Sequence, residues 1–374
     1  ETYDSLGWLR INARKTQMLN WMLVFVPIAI VLEYVTADLH LAVFLMAALA
    51  IVPLAGWLGR ATEQLAERSG EGVGGLLNAT FGNATELIIG LSALRAGLHD
   101  VVKASIVGSI VGNILLVLGL AMLAGGLRHR EQQYNISGAR SQATLLTLAT
   151  IALILPAAYN AVITPRNPQG LQSLSLYISL ILLLVYGLFL VYSLITHKSL
   201  FSGTASSEQS PDQPPPWSTG KAVSVLGVAT MLIAWISEIL VGAIEPSAHQ
   251  LGLSNLFVGV FVVAILGNAA EHASAVTAAM KNRMDLALSI AIGSSVQVAL
   301  LVAPILVLAS LFIGPLPMGL AFSGGLVLSV LLAVLITGQI AGDGRSDWLK
   351  GVQLLAVYLI LGLAFFFTPD APTQ

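Results

Sequence analysis

Two carboxylates stand inside segments that are otherwise apolar enough to lie in a membrane. The stretch Asn78-Ala79-Thr80-Phe81-Gly82-Asn83-Ala84-Thr85-Glu86-Leu87 holds two amides and one acid. A near copy returns as Leu266-Gly267-Asn268-Ala269-Ala270-Glu271-His272. Gly82 to Glu86 lies over Gly267 to Glu271 at a shift of 185 residues, and the same shift carries Asp100 onto Asp285, Gly108 onto Gly293 and Ser109 onto Ser294. Several matches at one shift, each in or beside an apolar segment, mark an internal duplication. A period this long in a membrane protein suggests the two halves of a transporter. A charged carboxylate at mid-bilayer costs ~3 kcal/mol or more, so such a residue faces a bundle interior, a cavity or an ion. On a helix Ala79, Asn83, Glu86 and Gly90 share one stripe, as do Ala264, Asn268, Glu271 and Ala275. The glycine before each asparagine, Gly82 and Gly267, lets the helix distort and frees backbone carbonyls. Two carboxylates, two amides and several carbonyls make an all-oxygen shell of the kind Ca²⁺ accepts, with about six to eight ligands. The competing reading is helix packing, with Asn and Glu as glue and small residues allowing close approach. Two copies, each carrying a buried charge, favour the ion site.

Further polar residues line up around this pair. Ser105, Ser109 and Asn113 recur at four-residue steps, and Ser289, Gly293, Ser294, Ser295 and Gln297 follow in the second half. The expected ion ligands are therefore Glu86, Glu271, Asn83, Asn268, Gln297, Ser109 and Ser294. Asn113, Ser295, Gly82 and Gly267 form a supporting layer. Small-residue packing, with each Ser bonded to its own helix, is the alternative for the serines. Glu63 and Glu238 form another pair at a shift of 175, in Thr62-Glu63 and Ser237-Glu238. With His272, whose imidazole is a candidate proton carrier, they are expected to relay protons. The competing readings are a solvated helix end for Glu63 and a hydrogen-bonded packing residue for His272. Asp100 and Asp285 begin apolar spans and read as helix N-terminal acids. Asn135-Ile136-Ser137 has a glycosylation pattern but falls on a loop expected to be cytosolic, and is set aside.

The elements that must position these groups follow from composition. The chain has 374 residues, 56% hydrophobic and 10% charged, against about 25% charged in soluble domains. It carries many apolar runs long enough to cross a ~30 Å hydrocarbon core. A net charge of −2 implies no nucleic-acid partner, and the absence of cysteine removes disulfides and thiolate sites. The expected fold is an all-α polytopic membrane protein with eleven transmembrane helices, at about 21–36, 39–58, 73–95, 101–125, 141–163, 171–195, 221–243, 254–278, 285–312, 318–338 and 348–368. Residues 1–38 form a tail and an extra helix, 39–195 a first five-helix repeat, 196–220 a Pro/Ser linker and 221–374 a second repeat. With a cytosolic N-terminus, fourteen Lys and Arg fall inside and three (Arg95, Lys103 and Arg166) outside. An odd number of spans per repeat inverts the second repeat, which brings Glu86 and Glu271 towards each other.

At these residues the chain resembles the Ca²⁺/cation antiporter superfamily, and most closely its cation/H⁺ exchanger branch. The likeness rests on Leu58-Gly59-Arg60-Ala61-Thr62-Glu63-Gln64-Leu65-Ala66, on the Gly-Asn-Ala-x-Glu motif in both halves, on Lys281-Asn282-Arg283-Met284-Asp285-Leu286-Ala287-Leu288 and on Gly293-Ser294-Ser295-Val296-Gln297. The Gly-Thr-Ser-x-Pro-Glu and Gly-Ser-Asn patterns of the sodium/calcium exchangers are absent. The resemblance implies eleven spans, Ca²⁺ bound between the third and eighth, and proton-driven export from the cytosol. It also implies an acidic helix between the halves, for which this linker offers only Glu208 and Asp212.

The expected activity is exchange of cytosolic Ca²⁺ for H⁺ across a lipid bilayer, with no cofactor and no catalytic residues. The host is a cytoplasmic membrane in a prokaryote or a vacuolar-type membrane in a eukaryote. Alternatives are exchange of Mn²⁺ or Cd²⁺, Na⁺-coupled exchange and a passive Ca²⁺ channel. An intramembrane metalloenzyme is disfavoured because no His-Glu-x-x-His pattern occurs.

Overall fold

A computed structural model describes residues 20–35, 39–69, 71–163, 168–197 and 217–368, and these are almost wholly helical. In chain order the helices are α1 (Phe25–Val35), α2 (His40–Ser69), α3 (Glu71–Phe81), α4 (Ala84–Arg95), α5 (His99–His129), α6 (Ile136–Val162), α7 (Gly170–Thr196) and α8 (Thr219–Leu251). They continue as α9 (Asn255–Gly267), α10 (Ala269–Met280), α11 (Met284–Ala309), α12 (Gly324–Asp343) and α13 (Trp348–Phe366). Most of the Pro/Ser linker, the amphipathic tail and Asp38 lie outside the described residues.

Eight of these helices are long and apolar enough to cross a membrane, and nine if α9 and α10 count as one span bent by 64°. Among the described residues α1 is a shorter apolar helix, which packs on α2. The helix expected near 73–95 is two helices, α3 and α4, separated at Gly82 and Asn83. The same interruption recurs at Asn268 between α9 and α10. At both breaks a glycine, which resists helical order, precedes the asparagine; Asn268 Nδ2 then bonds the Ala264 carbonyl of its own helix, whereas the Asn83 side chain bonds side chains of a distant helix.

The centre of the bundle is α5 and α11. In their most apolar windows 83% and 78% of residues are buried, against 22% for α7 and 28% for α13. The outer helices therefore spend their Leu and Ile on lipid. Helices α2 and α8 pack along each other, α8 also meets α4, and α5 crosses α9. That last crossing is close enough to need glycine. A Cβ at Gly108 would meet the Val260 carbonyl oxygen at 2.1 Å, and one at Gly259 would meet the Ala104 Cβ at 2.6 Å. Close backbone approach is how helices gain contact in lipid, where hydrophobic burial contributes little between them. Gly108→Leu is expected to abolish folded protein, read as loss of the monodisperse peak and thermal transition in detergent. Gly112→Ala, one turn on with nothing within 4 Å of its Cβ position, is expected to keep both.

One end of the bundle is fastened by loops. Gln132–Gln133 (β1) pairs antiparallel with Arg345–Ser346 (β2), Gln132 facing Ser346. The buried Gln132 donates through Nε2 to the Ala279 carbonyl at 2.8 Å and to Asn282 Oδ1 at 3.0 Å. Three inter-helix connections, 130–135, 281–283 and 344–347, are thereby tied together. Lys350 Nζ pairs with Asp343 Oδ2 at 2.8 Å. Asn135 caps α6 by accepting from the backbone N–H groups of Ser137 and Gly138, which accounts for the residue that mimics a glycosylation acceptor. Asp285 stands in the first turn of α11 and accepts from the Asn135 backbone N–H at 2.6 Å.

Candidate cation site

Glu86 lies in the first turn of α4 and Glu271 in the first turn of α10. Each follows one of the two helix breaks. The carboxylate pair is close enough to interact electrostatically. Glu86 reaches across to the opposite break: a Cβ on Gly267 would lie 3.3 Å from Glu86 Oε1. The absent side chain of Gly267 is thus what leaves room for this carboxylate.

The asparagines are anchored by serines from the central helices. Asn268 Nδ2 donates to Ser109 Oγ at 3.1 Å and to the Ala264 carbonyl at 3.0 Å. Ser294 Oγ donates to Asn83 Oδ1 at 3.1 Å. These two Asn–Ser pairs exchange into each other under the 185-residue shift. Beyond them the halves differ. Asn113 Nδ2 donates to Ser294 Oγ at 3.1 Å, and Asn83 Nδ2 donates to Gln297 Oε1. Ser294 also stands beside the Glu271 carboxylate. Ser295 Oγ donates back to its own helix at Ala291 and across to the Ile110 carbonyl at 3.3 Å, so it joins α11 to α5.

Among the described residues, three buried oxygens in this cluster lack a hydrogen-bond partner: Glu86 Oε2, Glu271 Oε2 and Asn268 Oδ1. All three are pure acceptors. Burying an acceptor without a donor costs roughly 1–3 kcal/mol, and more when it is charged. A set of unsatisfied acceptors with two carboxylates calls for a hard cation or for protons. Among the described residues no cluster of three or more His, Cys, Asp or Glu occurs, so any further ligands come from amides, hydroxyls and backbone carbonyls. A cavity opens beside Glu86, lined also by Ser105, Ser109, Ala264, Gly267 and Val302. Its remaining walls, including Ile89, Val298 and Leu306, are apolar residues in apolar helices, and nothing in the sequence distinguishes them from lipid-facing ones.

The residues expected to relay protons stand outside this hydrogen-bonded set. Glu238 is exposed and pairs with Arg95 at 2.8 Å, joining α8 to α4. Glu63 is exposed, near the end of α2. His272 is half-buried beside Glu271 on α10.

The asymmetry between the asparagines has a measurable consequence. Asn83 is engaged through both amide atoms, whereas Asn268 keeps a free oxygen among the acceptors. Asn268→Ala is expected to weaken Ca²⁺ binding about tenfold, in line with the loss of one charge-assisted contact. Asn83→Ala should lower stability more than affinity. Isothermal titration and thermal unfolding on both variants separate the two; equal losses of affinity would show that the asymmetry is irrelevant.

A helical membrane protein with paired acidic helix breaks facing each other at its centre belongs to the ion-translocating class. Comparison with known proteins narrows this. The sodium/calcium exchanger protein family matches residues 39–195 and 221–367, and the chain belongs to this family, within the cation/H⁺ exchanger branch of the Ca²⁺/cation antiporters. It is 45% identical over 365 residues to the Ca²⁺/H⁺ antiporter of Aphanothece halophytica, covering 94% of this chain and 96% of that one. It is 45% identical over 317 residues to the Ca²⁺/H⁺ antiporter ChaA of Bacillus subtilis, covering 84% and 89%. The solved structure of native YfkE aligns with a TM-score of 0.80 at 39% identity, covering 94% of this chain and all of that one.

Proposed function

We propose that the chain exchanges Ca²⁺ for H⁺ by alternating access, with both ions competing for Glu86 and Glu271. The observation that carries this reading is the group of three unpartnered buried acceptors, Glu86 Oε2, Glu271 Oε2 and Asn268 Oδ1. The relatives named as Ca²⁺/H⁺ antiporters along nearly the whole chain support the choice of ions. In this reading Ser109 and Ser294 hold the two asparagines, and Asn113 and Gln297 brace them. Glu63, Glu238 and His272 remain as surface or flanking carriers that could pass protons to the pair.

The architecture in this reading has eleven spans. Helix α1 and the broken pairs α3–α4 and α9–α10 each cross once, and residues 39–195 and 221–374 form inverted repeats. The two family-matched segments and the breaks recurring at one shift support this division. The connections tied by the β1–β2 ribbon are rich in Lys and Arg and would face the cytosol, with the N-terminus on the same side and the C-terminus opposite.

The test is uptake of radiolabelled Ca²⁺ into proteoliposomes under an imposed pH gradient. Uptake driven against a Ca²⁺ gradient, and indifferent to a Na⁺ gradient, is expected. Uptake that only runs down the Ca²⁺ gradient would indicate a channel, and dependence on Na⁺ would indicate the Na⁺-coupled alternative.

A further inference from the structure

The two half-helices that carry the glutamates end in the same turn. The Gly97 N–H donates to the Leu94 carbonyl at the end of α4, and the Asn282 N–H donates to the Ala279 carbonyl at the end of α10, both at 3.0 Å. Gly97 and Asn282 are both left-handed, with φ of 79° and 58°. The 185-residue shift carries Leu94 onto Ala279 and Gly97 onto Asn282. It also carries His129 onto Gly314, so the segment after α5 corresponds to the segment after α11. Each of these segments covers the end of the other half's glutamate helix.

They do so by different means. A Cβ at Gly314 would meet the Leu94 carbonyl oxygen at 2.5 Å, so α4 is covered by a residue with no side chain to donate. On α10 the equivalent carbonyl takes a hydrogen bond. Gln132 Nε2 donates to the Ala279 carbonyl at 2.8 Å and to Asn282 Oδ1 at 3.0 Å, and His129 Nε2 donates to the Met280 carbonyl at 2.9 Å. Gln132 is 1% exposed. Its amide fits because α5 has no side chain there: a Cβ at Gly125 would stand 2.0 Å from Gln132 Oε1. Its backbone pairs with Ser346 in the β1–β2 ribbon, so the amide is carried by a fixed strand. Withdrawing a buried donor from its acceptors costs free energy, which opposes movement of the α10 end.

The cavity lies on the opposite side of the glutamates. Its lining residue Ile106 stands in the first third of α5, and Val302 and Leu306 stand in the last third of α11. Those parts of the helices adjoin the far end of α4, away from Gln132. We infer that Gln132 is a positioning residue for exchange: its amide fastens the far end of α10 and thereby keeps the Glu271 side of the site shut. Glu271 is separated from Ala279 by about 12 Å of helix, short enough for the two ends to move as one body. The inference rests on the alternating-access reading above. Removing the amide shifts the population towards the state open along α10.

The chain has no cysteine, so single cysteines can report each side. Ala275→Cys lies on α10 between Glu271 and Ala279, and Ile106→Cys lies in the cavity wall. A water-soluble maleimide labels each in detergent without Ca²⁺, with and without Gln132→Ala. The expected result is labelling about tenfold faster at Ala275→Cys and slower at Ile106→Cys, as a shift between two states requires. Gln132→Glu keeps the shape but turns an acceptor towards the Ala279 carbonyl. It should give the same opposite shifts, and it carries the test if Gln132→Ala does not fold. A general loosening of the bundle would raise both rates. Any outcome other than opposite shifts, a rise in both rates or no change included, overturns the inference. Labelling needs no transport, so a failure of proton-driven Ca²⁺ uptake would leave this result to be read on its own.

Discussion

Glu86→Gln is expected to abolish exchange while leaving the protein folded. Glutamine keeps the volume and the hydrogen-bonding shape but removes the charge. In the proposed site Ca²⁺ is held mainly by two carboxylates, one from each half of the chain. Removing one partner of a buried ionic arrangement costs about 3–5 kcal/mol, which is roughly a hundredfold or more in affinity. The residual carboxylate would hold a divalent cation with a net charge left over, and a charged site crosses a low-dielectric barrier poorly. Glu271→Gln should behave alike. Transport of radiolabelled Ca²⁺ at the parental rate by either variant, at matched reconstitution, would remove that residue from the site. The thermal transition of both variants is expected to persist, because glutamine keeps the volume and removes a charge from a buried position. This separates loss of the site from loss of the fold.

The second large effect concerns coupling. An empty site would hold two carboxylates facing each other with unpartnered oxygens and no compensating cation. Burial disfavours that doubly charged state. Two protons discharge the site, and one Ca²⁺ discharges it equally. Each occupant neutralises what the other would, so the two compete, and the pair titrates as a unit. If only a neutralised site can change its exposure, the exchange is obligatory. The expected ratio is two protons per Ca²⁺, nearly electroneutral. Participation by Glu63, Glu238 or His272 would add protons and make the exchange carry current. Setting Ca²⁺ and pH gradients against each other at several clamped voltages finds the condition of zero net flux. A balance point that ignores the proton gradient, or Ca²⁺ crossing with no proton moving the other way, would refute the shared-site mechanism.

Much of the candidate site is legible in the order of residues alone. The buried acid in each Gly-Asn-Ala-x-Glu motif is conspicuous because apolar surroundings make an ionised carboxylate expensive. Its recurrence at one shift needs only the order of residues. The length and apolarity of the spans likewise follow from the thickness of a bilayer. The glycine ahead of each asparagine pointed to distortion, and both helices do break there.

What the residue order could not supply is direction. Nothing in the spacing says that Asn83 is occupied through both amide atoms while Asn268 keeps a free oxygen, because that depends on which serine of which distant helix arrives on each side. Gly108 reads as one small residue among many until α9 presses its Val260 carbonyl against it. Glu238 stands among apolar neighbours in sequence and reads as a proton relay, yet Arg95, 143 residues away, meets it at an exposed edge. The physical reason is the same in each case. Desolvation cost and span length are properties of local composition, so they survive in the sequence. Hydrogen-bond direction, close backbone approach and ion pairing are properties of partners far along the chain, and only packing brings those partners together.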